Sequence, residues 1–325
     1  MPTDHFDEFR AKMRAANMGD AIVRAFQHSY ASLVAGRTGM LPESAIQPVT
    51  DLPSINASGT DESDHTPLLA QTVIVKLNGG LGTSMGLAGP KSLLTVKNGL
   101  SFLDIIARQI LHARESTGVP LRFLLMNSFS TSAPTLQWLA RNPEVGAAAD
   151  VELMQNMVPK VDAQTLRPAA LPANPALEWC PPGHGDLYPS LLGSGWLDRL
   201  LSEGVRFLFV SNADNLGATM DIPILRHFAS SDRSFLMEVC ERSAADRKGG
   251  HLAIENESGR LILRESAQCA REDERAFQDV ERHRFFNTNN IWLDLRALHE
   301  HLDGSGGVLP LPMIRNEKAV DPLDA

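Results

Sequence analysis

Apolar and polar positions follow two periods along this chain. From Phe6 through Phe9, Met13, Met18, Ile22, Val23, Phe26 and Tyr30 the apolar residues fall roughly on one helical face, so residues 5–36 are read as helical. Residues 41–68 lose that pattern and fill with Pro, Ser, Asp and Thr, the composition of an irregular connection. Beyond it, short apolar and β-branched runs predict strands at 72–77, 121–127, 205–211, 235–241, 251–255 and 289–294. Amphipathic stretches predict helices at 101–115, 134–141, 193–203, 221–230 and 296–302. Ser101, with Asp104 three residues on, gives the 101–115 helix a capped start. Strands alternating with helices predict an α/β fold with a mixed, mostly parallel central sheet and helices on both faces. The charged stretch 242–284, with short strand-like pieces, reads as an elaboration at one sheet edge.

The run Thr72-Val73-Ile74-Val75 leads into Lys76-Leu77-Asn78-Gly79-Gly80-Leu81-Gly82-Thr83-Ser84-Met85-Gly86-Leu87-Ala88-Gly89-Pro90-Lys91-Ser92, which holds five glycines and carries Lys91 at its far end. Glycines let backbone N–H groups approach a ligand without Cβ atoms in the way, and successive N–H groups form an anion-binding concavity. The lysine adds a mobile positive charge for phosphate. A nucleoside-triphosphate site at the carboxyl end of a strand is the direct reading. A P-loop is excluded because Pro90 separates Gly89 from Lys91, and the glycine spacing does not match the dinucleotide fingerprint G-x-G-x-x-G. A bland surface loop is disfavoured by its position directly after a buried strand.

A length of 325 residues suits one large domain or two modest ones. The expected division is an N-terminal helical segment and connection over 1–70, a ligand-binding domain over 71–315, and a tail over 316–325. The net charge of −9 argues against a nucleic-acid surface. Cys180, Cys240 and Cys269 are far apart, which argues against a disulfide framework or zinc site and for a reducing compartment. The polar, acidic N-terminus is no signal peptide, and no apolar run reaches the ~18 residues of a membrane span. A cytoplasmic chain without membrane partners is expected.

Further blocks accompany the glycine-rich segment. They are Asn98-Gly99-Leu100-Ser101-Phe102-Leu103-Asp104, Leu125-Met126-Asn127-Ser128-Phe129, Trp179-Cys180-Pro181-Pro182-Gly183-His184-Gly185-Asp186, Asn212-Ala213-Asp214-Asn215-Leu216-Gly217, Asp246-Arg247-Lys248-Gly249-Gly250 and Phe286-Asn287-Thr288-Asn289-Asn290-Ile291-Trp292. In this order the chain resembles the UDP-glucose pyrophosphorylase (UTP–glucose-1-phosphate uridylyltransferase) family of the eukaryotic-like type. The resemblance implies a Rossmann-like nucleotidyltransferase core with an antiparallel excursion around 235–290. It also implies UTP, glucose-1-phosphate, UDP-glucose and pyrophosphate as small-molecule partners, with Mg²⁺ as cofactor.

For the site, the resemblance implies UTP contacts at Leu77, Asn78, Gly79, Gly80, Met126, Gln155, Gly183 and Asn212. Lys91 would bind phosphates and act in catalysis. His184, Glu265, Asn287 and Asn289 would take the sugar phosphate, and Asp214 would hold the metal. The residue chemistry agrees in part. A glutamine amide suits the imide edge of uracil, and a carboxylate just past a strand end suits Mg²⁺. An Asp-Asn pair after a strand is equally a turn former, and Asn287-Thr288-Asn289-Asn290 also reads as a turn. Members of the family continue into a left-handed β-helix and carry a second lysine in a Val-Lys-x-Thr-x-Asp-Leu block. Neither is found here, so the β-helix domain is expected to be absent. The alternatives are a non-catalytic UTP- or UDP-sugar-binding protein and a pyrophosphorylase for another sugar, UDP-galactose or UDP-N-acetylglucosamine.

Overall fold

A computed structural model describes residues 4–55, 65–81, 89–317 and 319–321. The glycines at 82 and 86 lie outside the described residues.

The helical N-terminal stretch forms as two helices, α1 (Phe6–Ala15) and α2 (Asp20–Val34). The break falls at Asn17, whose φ of 58° lies in the left-handed region that ends a helix. Phe9 and Tyr30 pack with ring centroids 4.7 Å apart, and the pair of helices closes over Val158 and Trp179.

Among the described residues the central sheet has nine strands: β1 (Ile46–Pro48), β2 (Thr72–Asn78), β3 (Arg122–Asn127), β4 (Glu152–Met154), β5 (Phe207–Asn212), β6 (Phe235–Glu241), β7 (His251–Glu255), β8 (Leu261–Arg264) and β9 (Phe285–Asp294). The order is β1-β7-β9-β5-β2-β3-β4, with β6 paired to β9 and β8 to β7. The four strands β5, β2, β3 and β4 run parallel. The rest pair antiparallel, so the expected excursion around 235–290 is built as half of the sheet itself. β1 comes from the stretch read as an irregular connection. Its three residues are too few to show a period, and they find their partner more than 200 positions away (Ile46 opposite Glu255).

Helices cover both faces. On one, α3 (Phe102–Thr117), α4 (Ser132–Leu139) and α7 (Ile222–Ser230) pack Ile106, Trp138 and Phe228 against Ile74, Phe123 and Phe209. On the other, α5 (Leu187–Gly193), α6 (Trp196–Ser202) and α8 (Leu295–Gly304) pack Leu191, Leu197 and Leu298 against Val73, Val75, Leu124 and Val210. Alternate residues of each strand thus feed opposite cores, which is why the central strands read as continuous apolar runs. The helix expected at 193–203 forms as α6, starting only after Gly195, whose φ of 77° separates it from α5, a helix the sequence pattern did not give. Ser101 and Asp104 form the expected capping box at the start of α3.

Candidate functional site

Three neighbouring parallel strands, β3, β2 and β5, end side by side on Asn127, Asn78 and Asn212. The loops that follow them converge at the carboxyl edge of the sheet, where open α/β sheets hold ligands. A cleft of about 330 Å³ opens there. Leu77, Asn78, Gly79, Gly80, Lys91, Ser92, Met126, Gln155, Pro181, Gly183, His184, Asn212, Ala213 and Asp214 line it. Every residue expected at the UTP end is among them, together with Lys91, His184 and Asp214.

The Asn78 side chain is turned inward: its Nδ2 donates to Asn127 Oδ1 (2.7 Å) and to Thr135 Oγ1 (3.0 Å). Asn127 Nδ2 in turn donates to Glu152 Oε1 at 2.8 Å. This buried amide chain fixes the ends of β2, β3 and β4 relative to one another, so Asn78 serves the cleft through its main chain. Gln155 Nε2 donates to the Gly183 carbonyl at 3.0 Å, joining the loop after β4 to the Gly183-His184 loop. A methyl group on Gly79 would lie 2.5 Å from Gln155 Oε1, so that amide sits at the loop only because residue 79 has no side chain. Met126, almost fully buried, forms part of the floor. Beyond Gly80, Leu81 bridges to Pro90 and the Lys91 N–H donates to the Gly80 carbonyl at 3.2 Å, closing the ends of the glycine-rich segment.

Lys91 Nζ stands 3.6 Å from Asp214 Oδ2 across the mouth. Both groups are about two-fifths exposed, and such a pair is worth at most about 1 kcal/mol. It holds the two charges in place without preventing either from turning to a ligand.

The remaining expected residues join the cleft through one hydrogen-bonded chain. Glu265 Oε1 accepts from Asn287 Nδ2 (3.1 Å), and Asn287 Oδ1 accepts from the Asn289 backbone N–H (2.8 Å). Asn289 Nδ2 then donates to Asn212 Oδ1 (2.8 Å) and reaches His184 Nδ1 (3.0 Å). Asn289 has φ 57°, left-handed for a non-glycine residue. The β6–β9 register shifts beside it, between Glu238 and Val239, and Thr288 Oγ1 donates to the Glu238 carbonyl at 2.6 Å. Asn287-Thr288-Asn289-Asn290 is therefore a bulge inside a long strand. The bulge turns Asn289 toward the cleft, a common use of the device.

An amide NH₂ only donates, so the bond from Asn289 makes His184 Nδ1 the acceptor and places the imidazole proton on Nε2. Desolvation by the cleft walls disfavours the imidazolium and lowers the His184 pKa, outweighing the opposite pull of the Glu265 and Asp214 carboxylates, while the side chain keeps an exposed surface. His184 is thus a neutral Nε2–H donor on the cleft wall.

Sequence reasoning did not single out Ser92. Its Oγ is buried beside the cleft without a hydrogen-bond partner among the described residues, and its position directly after Lys91 was the available signal. For a metal, no cluster of three or more His, Cys, Asp or Glu with binding geometry exists among the described residues. Mg²⁺ does not require one, since it commonly takes one or two carboxylates and completes its shell with water and substrate phosphates. Asp214 on the cleft, facing Lys91, fits that mode.

Fold and site together define an α/β protein with a polar, amide-rich cleft at the carboxyl edge of its sheet. A model of the family described as UTP–glucose-1-phosphate uridylyltransferase matches residues 23–325, and the chain belongs to that family. It is 40% identical over 265 residues to a UTP–glucose-1-phosphate uridylyltransferase of Solanum tuberosum, covering 80% of this chain and 54% of that protein. A Saccharomyces cerevisiae protein of the same name is 39% identical over 264 residues, covering 80% and 52%. The chain thus spans about half the length of the curated relatives it matches. Among solved structures, a variant of the Leishmania major UDP-glucose pyrophosphorylase in complex with UDP-glucose superposes with a TM-score of 0.94 at 47% identity, covering 98% of this chain and 69% of that one. A Trypanosoma brucei UDP-glucose phosphorylase gives 0.93 at 47% identity, with the same coverage.

Proposed function

We propose that this chain carries the nucleotide- and sugar-binding machinery of an Mg²⁺-dependent uridylyltransferase that makes UDP-glucose and pyrophosphate from UTP and glucose-1-phosphate. One observation carries the reading. Residues from separate loops, expected at opposite ends of such a ligand, line one cleft or connect to it through Asn289, which bonds Asn212 on one side and His184 on the other. Membership of the family supports it.

In the reaction, a phosphate oxygen of glucose-1-phosphate attacks the α-phosphorus of UTP, and the bond from that phosphorus to the pyrophosphate oxygen breaks. The nucleophile is already an anion, so alignment and charge neutralisation are the catalytic needs. The main chain of Leu77, Asn78, Gly79 and Gly80 would cradle UTP. Gln155, with Met126 and Gly183 around it, would read the uracil edge. Lys91 would neutralise phosphate charge, and Nε2–H of His184 would donate to a sugar-phosphate oxygen. Asn287, Asn289 and Glu265 would take sugar hydroxyls. Asp214 would hold Mg²⁺, which when bound withdraws charge from the phosphates of both reactants. No helix among the described residues is long and apolar enough to cross a membrane. The three widely spaced cysteines support a reducing, cytoplasmic compartment.

The test is calorimetric titration with UTP and Mg²⁺ beside an assay of pyrophosphate release, on the wild type and on Lys91→Ala. Wild-type binding is expected, with the rate in the variant lower by on the order of 10²–10³. Binding without turnover would favour a nucleotide-sugar-binding role, and a folded chain that does not bind UTP would sink the reading.

A further inference from the structure

We propose that Lys76 is a positioning residue: its ammonium ties both ends of the segment 211–218 to the central strand and so holds Asn212 and Asp214 at the cleft. The inference rests on the reading of the cleft given above. Lys76 lies in the middle strand β2 and is only 3% exposed. Its Nζ donates to Ser211 Oγ at 2.8 Å, immediately before Asn212, and to the Ala218 carbonyl at 2.6 Å. Between these anchors the chain folds back on itself. The Asn215 N–H bonds the Asn212 carbonyl, the Gly217 N–H bonds Asn215 Oδ1 and the Ala218 N–H bonds the Asn215 carbonyl. From outside, Gln109 Nε2 bonds the Leu216 carbonyl, and the Ala213 N–H bonds the Leu77 carbonyl. The ammonium is the group that grips both ends.

A buried amine is a costly way to fill a sheet interior, and methionine would occupy similar space without desolvating a charge. Burial lowers the Lys76 pKa to about 8, opposed by the Glu238 carboxylate, so the group still donates at neutral pH. Glu238 accepts from Trp292 Nε1 and Asn290 Nδ2, which leaves Lys76 committed to the loop.

Lys76→Met tests this by hydrogen exchange on ligand-free protein and by the Mg²⁺ dependence of UTP binding. The amides of Ala213, Asn215, Gly217 and Ala218 should exchange about tenfold faster, with those of β3 unchanged, as expected from losing about one net hydrogen bond of local restraint. The Mg²⁺ concentration for half-maximal UTP binding should rise with them. Exchange that rises uniformly over the sheet, or Mg²⁺ dependence equal to wild type, would overturn the proposal while leaving the cleft reading intact. A wild-type chain that binds no UTP would instead remove the reading underneath it. Should Lys76→Met not fold, Ser211→Ala deletes one of the two acceptors and should give the same local pattern in weaker form; wild-type exchange in that variant would overturn the proposal.

Discussion

Replacing Gly250 with alanine distinguishes the proposed sugar end of the cleft from the proposed nucleotide end. A methyl group on Gly250 would lie 2.5, 2.6 and 2.7 Å from Oε1, Cδ and Oε2 of Glu265. The atoms it strikes end a side chain with free torsions, so the carboxylate yields and the backbone stays. Clearing the overlap requires a movement of about 0.5 Å, which can stretch the 3.1 Å bond from Asn287 Nδ2 beyond hydrogen-bonding range. Glu265 then leaves the chain that runs through Asn287 and Asn289 to His184. Losing one hydrogen bond to a charged group costs about 1.5–3 kcal/mol, which is about 10- to 150-fold in affinity. The assay is a pair of titrations, UDP-glucose and UTP, on wild type and Gly250→Ala. UDP-glucose should weaken within that range, UTP should hold, and the melting temperature should stay close to wild type. Equal weakening of both ligands, or no change in UDP-glucose, would refute the placement of Glu265 at the sugar end.

Two further predictions concern protons. His251 and His283 are fully buried and stack with ring centroids 3.9 Å apart, beside Arg242, Arg264 and Glu43. Burial first, and then His283, push the His251 pKa from 6.5 down to about 3. The unfolded chain therefore binds more protons between those values. The stability contribution is complete above pH 6.5 and is lost as pH falls toward 3, reaching about 2 kcal/mol at pH 5. Urea unfolding at pH 7 and pH 5 should show that loss, and His251→Leu should flatten it; an unchanged slope would contradict the assignment. In ¹⁵N-edited spectra His184 should carry its proton on Nε2, and Asn289→Asp, which replaces a donor by an acceptor, should move it to Nδ1. A wild-type Nδ1–H signal would remove the proposed donor role.

The sequence determined a good part of this protein by itself. Strand and helix periods are local, and so are the glycine signals and the Ser101-Asp104 cap, so the β–α alternation and the start of the glycine-rich segment at a strand end were legible from neighbouring residues. Boundaries set by single left-handed residues, Asn17 and Gly195, were not, because periodicity runs through them. Tertiary structure alone decided which side chains face the cleft. Asn78 and Asn289 are the same residue type, both expected to contact ligand, yet Asn78 turns inward to Asn127 and Thr135 while a bulge turns Asn289 toward the cleft. Lys76 was given no role in the sequence reading, and its burial against Ser211 and Ala218 depends on residues more than 130 positions away. Period and propensity are properties of neighbours in the chain, whereas sheet register and the burial of a polar group are set by partners that only folding brings together.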